Sequence, residues 1–131
     1  MFTTPRILVA DDDPVTLRFL VALLRREGFE VLDAEDGQRA IELARAHRPD
    51  LVVTDLLMPY RDGYEVLRAL REDEALRSTP VIVLSMKDRE EDIVRGFTEG
   101  AVDWVVKPFQ PRELLARIRA RLERQGAPPC R

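Results

Sequence analysis

Five short apolar runs alternate with five segments of helical periodicity, and this alternation predicts an α/β fold. The runs are nearly continuous in Ile, Leu and Val, as expected of parallel strands buried on both faces. Four of them end in chemically useful groups. Ile7-Leu8-Val9-Ala10 leads into Asp11, Asp12 and Asp13, and Leu51-Val52-Val53-Thr54 into Asp55. Val81-Ile82-Val83-Leu84 leads into Ser85, and Val105-Val106 into Lys107. In an open parallel sheet, ligands bind beyond the carboxyl ends of the strands. The sequence therefore predicts a metal- and phosphate-handling site at that edge.

Each element has a local reason. Arg6–Ala10 reads as a buried strand. Asp13-Pro14 supplies an N-cap and a proline at the first helical position. Leu17, Leu20, Val21 and Leu24 follow at helical spacing, and Gly28 is a natural stop. Residues 29–33 read as the second strand, and residues 37–46 as a short helix with Ala40, Ile41 and Ala44 inward. Pro49 and Asp50 introduce the third strand, Leu51–Thr54. Pro59 and the Asp62-Gly63 turn precede a helix over residues 63–73, with Val66, Leu67 and Leu70 on one face. Pro80 opens a strand over residues 81–84. Residues 88–99 read as a helix carrying Ile93, Val94 and Phe97, closed by Gly100. The fifth strand is Asp103–Val106. The last helix is Pro111–Arg124, with Leu114, Leu115, Ile118 and Leu122 inward. Right-handed crossovers between such units give one parallel sheet with helices on both faces.

Composition narrows the function. A chain of 131 residues suits one domain with a real core. It is 45% hydrophobic and 34% charged, with a net charge of -3, so bulk charge gives no nucleic-acid signature. Cys130 is the single cysteine, which excludes an internal disulfide. The start has no basic segment followed by an apolar one, and no apolar run approaches membrane-spanning length. The expectation is a cytoplasmic protein without membrane or direct nucleic-acid contact. Arginine supplies nearly all the positive charge, and the only lysines are Lys87 and Lys107. A lysine at a strand end in such a chain hints that its ammonium matters there.

Together, Asp11-Asp12-Asp13-Pro14, Asp55-Leu56-Leu57-Met58-Pro59, Ser85 and Lys107-Pro108-Phe109 resemble the receiver domain of two-component response regulators. The motifs stand in the right order, each at the end of the right strand, and the resemblance covers nearly the whole chain. It implies a flavodoxin-like doubly wound (βα)5 fold with strand order 2-1-3-4-5, over residues 1–125, with a flexible tail at 126–131. It also implies Asp55 as phosphoacceptor. Asp12 and Asp55 would bind Mg²⁺ directly, Asp11 through water, and Leu57 through its backbone carbonyl. Lys107 would pair with a phosphoryl oxygen, Ser85 would donate its hydroxyl to it, and a cis peptide would join Lys107 to Pro108. Asp13, followed by proline, is better explained as a helix cap than as a metal ligand.

Some positions depart from the pattern. Trp104 stands where the family carries Tyr or Phe, as a switch residue or as a plain core aromatic. Met86 replaces a small residue. Leu57 and Lys87 flank the approach of an attacking water, which bears on the lifetime of an acyl phosphate. His47 reads as a charge complement to a helix C-terminus. The fourth helix, fifth strand and fifth helix commonly form the family's signalling face. Asp103 and Arg117 could supply one ion pair of a homodimer there. Ile93 and Val102 either form an apolar patch for a different partner or pack inward.

The expected function is a phosphorelay switch that accepts a phosphoryl group from a sensor histidine kinase or phosphotransfer protein. It would assist its own phosphorylation and dephosphorylation without being an enzyme in the ordinary sense. The alternatives are a receiver within a longer transcription factor or nucleotide cyclase, and a Mg²⁺-dependent phosphohydrolase using an aspartyl phosphate. The latter usually carries a second Asp two residues after its nucleophile, where this chain has Leu57. A receiver-like module that binds without phosphorylation fits poorly, because every chemical position is filled.

Overall fold

The computed structural model describes residues 4–124. The expectations for Cys130 and for the tail at 126–131 lie outside the described residues. Strands and helices alternate as β1 (Arg6–Ala10), α1 (Pro14–Arg26), β2 (Glu30–Ala34), α2 (Gly37–His47), β3 (Leu51–Thr54), α3 (Gly63–Glu72), β4 (Val81–Ser85), α4 (Glu90–Thr98), β5 (Asp103–Val106) and α5 (Pro111–Arg124). The five strands form one sheet in the order β2-β1-β3-β4-β5, and all four pairings are parallel.

Strand periodicity divides the core into two layers. Leu8, Ala10, Val52, Val81 and Val83 face one way and pack with Ala40, Ile41, Ala44, Val66, Leu67 and Leu70 of α2 and α3. Ile7, Val9, Leu51, Val53, Ile82, Leu84 and Val105 face the other way, onto Leu17, Leu20 and Leu24 of α1 and Leu114, Ile118 and Leu122 of α5. The central strands β3 and β4 are buried along their whole length, whereas the edge strand β2 buries only Val31 and Ala34 fully. Cutting a fully buried leucine such as Leu67 or Leu114 to alanine would cost about 2–5 kcal/mol.

The caps follow the sequence. Asp13 accepts from the Val15 N–H at 3.4 Å and from the Thr16 hydroxyl at 2.5 Å. Asp36 caps α2 through the Arg39 N–H at 2.7 Å. Asp62 and Glu65 form a reciprocal capping box at the start of α3. His47 is exposed at the end of α2. Its carbonyl accepts from the Arg6 guanidinium at 3.0 Å.

Several boundaries shift by one or two residues from expectation: β2 ends at Ala34, α2 at His47, α3 at Glu72, β4 at Ser85 and α4 at Thr98. Two shifted starts have local reasons. The second strand begins at Glu30 and not at Phe29, because the Phe29 N–H still donates to Leu24 O of α1 at 3.1 Å. The fourth helix begins at Glu90 and not at residue 88. The segment before it is held in non-helical form by hydrogen bonds through Lys87. Among the described residues, no helix is long and apolar enough to cross a membrane.

Candidate functional site

The ladders run past the strand ends and fix the residues that matter. The Asp11 N–H donates to Ala34 O at 3.1 Å, the Asp55 N–H to Ala10 O at 2.8 Å, and the Lys107 N–H to Ser85 O at 2.8 Å. Each site side chain therefore projects from backbone tied to the neighbouring strand. α3 closes against the same edge. The Gly63 N–H donates to Leu56 O at 2.7 Å, and a Cβ on Gly63 would stand 2.6 Å from the Asp55 carbonyl. Only glycine permits that approach.

The structure brings Asp11, Asp12 and Asp55 together. One oxygen from each lies within 4.8 Å of the others. Asp11 is buried, Asp12 exposed and Asp55 in between. Asp55 accepts from the Leu56 N–H at 2.6 Å through Oδ1 and from Lys107 Nζ at 2.8 Å through Oδ2. Asp11 accepts from the Asp13 N–H at 2.9 Å and from Lys107 Nζ at 2.7 Å. Lys107 thus bridges two of the three carboxylates. Its peptide bond to Pro108 is cis.

Burial raises the Asp11 carboxyl above its ordinary value, and the hydrogen bonds from Lys107 and Asp13 only partly oppose this. Burial also pulls the Lys107 ammonium down, but hydrogen bonds and charge from Asp11 and Asp55 outweigh it and hold it above its ordinary value. When all are ionised, three carboxylates face one ammonium, which leaves two negative charges. Like charges this close repel by roughly 1–3 kcal/mol per pair, depending on solvent screening. An all-oxygen donor set with that surplus suits a small, hard divalent cation.

The remaining candidates are arranged around this cluster. Ser85 is buried at the end of β4, between the strands bearing Asp55 and Lys107, and its Oγ accepts from the Lys87 N–H at 3.2 Å. Leu57 lies in the loop after β3 and is 60% exposed. Trp104 is buried, and its indole N–H donates to the Lys87 carbonyl at 3.1 Å. Met86 is exposed and lines a groove of about 420 Å³ with Thr16, Phe19, Lys107, Pro108 and Phe109. The Phe19 and Phe109 rings stand 6.0 Å apart.

Ile93 and Val102 are each partly buried against a core layer, which favours packing over an exposed patch. Arg117 pairs with Asp103 within the chain, at 2.9 Å to both carboxylate oxygens. Sequence reasoning missed Gly96, which faces the Trp104 ring from α4. The signal was present as a lone glycine inside a helical pattern.

The fold and the strand-end cluster define a flavodoxin-like α/β domain with an acidic, lysine-bridged site at the carboxyl edge of its sheet. The chain belongs to the response regulator receiver domain family, whose model matches residues 7–119. It is 45% identical over 125 residues to the DNA-binding response regulator MtrA of Mycolicibacterium smegmatis, covering 95% of this chain and 54% of that protein. It is 46% identical over 125 residues to the transcriptional regulatory protein PrrA of Mycobacterium tuberculosis, covering 95% of this chain and 53% of that protein. The chain spans about half the length of these relatives. Among solved structures, it resembles the receiver domain of the Francisella response regulator 1452, with a TM-score of 0.87 and 35% identity over 93% of this chain and 99% of that one. The chemotaxis response regulator CheY4 of Vibrio cholerae gives a TM-score of 0.86 and 32% identity, over 92% of this chain and all of that one. Members of this family are modules of two-component signalling and not classical enzymes. They receive phosphate from histidine kinases and bind Mg²⁺ at an acidic aspartate cluster.

Proposed function

We propose that this chain is a phosphorylation-operated switch in which Asp55 accepts a phosphoryl group from a phosphohistidine on a sensor histidine kinase or phosphotransfer protein. The observation that carries this reading is the grouping of Asp55 with Asp11, Asp12 and Lys107 at one sheet edge. The attacking group is a carboxylate oxygen of Asp55. The phosphorus–nitrogen bond to the donor histidine breaks as the acyl phosphate forms.

Asp12 and Asp55 would hold Mg²⁺ directly, with the Leu57 carbonyl as a further oxygen and Asp11 acting through water. The ion would offset negative charge on the carboxylates and the incoming phosphoryl group. Lys107 would pair its ammonium with one phosphoryl oxygen, and Ser85 would donate its hydroxyl to another. Ser85 and Trp104 would then link the new charge to α4, β5 and α5, biasing a two-state equilibrium. Leu57 and Lys87 would set the lifetime of the acyl phosphate, since an apolar Leu57 does not orient an attacking water. The groove beside Lys107, with exposed Phe19 and Met86, supports docking of the donor protein there.

We read residues 1–125 as the receiver unit. Its arginine-rich α5 supports a solvated face and not a nucleic-acid contact, because Arg117 pairs with Asp103 and Glu113, and Arg119 with Glu27. The relatives named as DNA-binding or transcriptional regulators favour a second reading, in which this switch serves a DNA-binding protein.

The test uses the single tryptophan. Mg²⁺ is titrated, beryllofluoride is added, and Trp104 fluorescence is followed. The proposal expects a Mg²⁺-dependent change and then a second change with the phosphoryl mimic, both absent in Asp55→Ala. A folded protein that responds to neither contradicts it. Turnover of a generic phosphate ester, lost in Asp55→Ala, would point to a phosphohydrolase instead.

A further inference from the structure

Gly96 is the one buried residue of α4, while its neighbours Val94 and Phe97 are exposed. A glycine inside a helix weakens it, so the position needs a reason. The reason is Trp104: a Cβ on Gly96 would overlap the six-membered ring of the indole. The notch in α4 and the ring on β5 are complementary. At its other end the indole N–H donates to the Lys87 carbonyl at 3.1 Å, and the Lys87 N–H donates to Ser85 Oγ at 3.2 Å. A continuous line of contacts therefore runs from α4 through Trp104 and Lys87 to the Ser85 hydroxyl. Because Oγ accepts from Lys87, the hydroxyl proton is left to donate elsewhere.

We propose that Trp104, seated over Gly96, is a positioning residue that sets the Ser85 hydroxyl through Lys87, and that it stays inward whether or not Asp55 carries a phosphoryl group. The proposal rests on the reading of Asp55 as phosphoacceptor. An outward swing would strip the Lys87 carbonyl of its donor, open a void over Gly96 and expose the largest apolar side chain in the protein. The coupling is then a joint shift of the 85–87 loop, the ring and α4, without exchange of the ring between two rotamers.

Trp104 is the only tryptophan, so the ¹⁵N-labelled full chain gives a single indole resonance. That resonance, its hydrogen exchange and the contact between ring protons and the Gly96 α-protons are recorded with Mg²⁺, and again after beryllofluoride is added. The expected result is one protected indole resonance with the Gly96 contact kept in both states, while the Leu56 and Ser85 amides shift. Loss of the Gly96 contact with those amides shifted overturns the proposal alone. Amides that do not shift overturn the Asp55 reading and the proposal with it. A second variant tests positioning. Trp104→Phe keeps a ring but removes the donor. It should slow phosphoryl acceptance from a small phosphodonor by about three- to tenfold, the scale of one hydrogen bond, with Mg²⁺ affinity unchanged. An unchanged rate overturns the positioning role.

Discussion

The Lys107 ammonium reaches the Asp55 carboxylate at 2.8 Å, across fifty-two positions of sequence and over the end of the intervening strand β4. The same nitrogen holds Asp11 at 2.7 Å. One ammonium thus already pairs with two of the three clustered carboxylates, and its charge opposes that of a divalent cation bound beside it. Lys107→Ala should therefore tighten Mg²⁺ binding by up to about tenfold, through loss of a nearby positive charge. It should also remove the further response to beryllofluoride. Calorimetric titration of Mg²⁺ reads the first effect, and weaker binding in the variant would contradict this account.

Three adjacent aspartates should behave as three different residues. Asp12→Ala removes an exposed carboxylate that this account assigns to the metal, and should weaken Mg²⁺ binding by about tenfold or more, with little change in melting temperature. Asp13→Ala removes the cap that accepts from Val15 and Thr16. It should lower the melting temperature by a few degrees and leave Mg²⁺ affinity close to that of the unaltered protein. Paired melting curves and titrations check both, and similar profiles for the two variants would count against the assignment.

Arg71 is a clamp remote from the site. Its guanidinium donates to the carbonyls of Leu76, Arg77, Thr79 and Gly100, joining the segment after α3 to the α4–β5 turn. Burial lowers its pKa from the ordinary arginine value. Arg71→Met removes this donor from all four carbonyls, of which Leu76 O keeps the Thr79 N–H at 3.0 Å, and should cost about 2 kcal/mol or more. Hydrogen exchange should rise across residues 73–80 and 99–102, while Mg²⁺ binding stays unchanged.

Stability should fall at high pH partly through Tyr64. Its hydroxyl donates to Asp92 O at 3.0 Å, and burial raises its pKa above the ordinary tyrosine value, with Asp92 adding to the rise. The unfolded chain then loses this proton at lower pH than the folded one. The contribution is fully present below about pH 10 and is lost as pH rises through the folded pKa. Tyr64→Phe should flatten that part of the decline, read from denaturant midpoints across the alkaline range. An identical decline in the variant would remove Tyr64 as its cause.

Most of the site was legible in the sequence because its determinants are local. An apolar run that ends in a carboxylate, a serine or a lysine marks both the strand and the group at its end. Proline after Asp13 separated the cap from its two neighbours before any geometry was known. What escaped depends on contacts between distant elements. Adjacent Asp11 and Asp12 differ, the first buried and the second exposed, because the Asp11 N–H is still tied to Ala34 O beside β2 while Asp12 lies in the bend beyond the ladder. The start of α4 was misplaced because the Trp104 indole, seventeen residues away, takes the Lys87 carbonyl. The Arg71 clamp and the fit of Gly96 to Trp104 leave no periodic trace. Ile93, on α4, and Val102, in the turn before β5, were ambiguous for the same reason, since an apolar residue at the margin of an element reads alike whether it packs or is exposed.

The central claim is that Asp55 takes a phosphoryl group in a Mg²⁺-dependent reaction. The most direct test is to incubate the chain with Mg²⁺ and a small phosphodonor and to locate the modification by mass spectrometry. The account predicts one phosphoryl group per chain, on Asp55, lost when Mg²⁺ is chelated and absent in Asp55→Asn. A phosphoryl group on another residue, or none on a folded protein saturated with Mg²⁺, would contradict it.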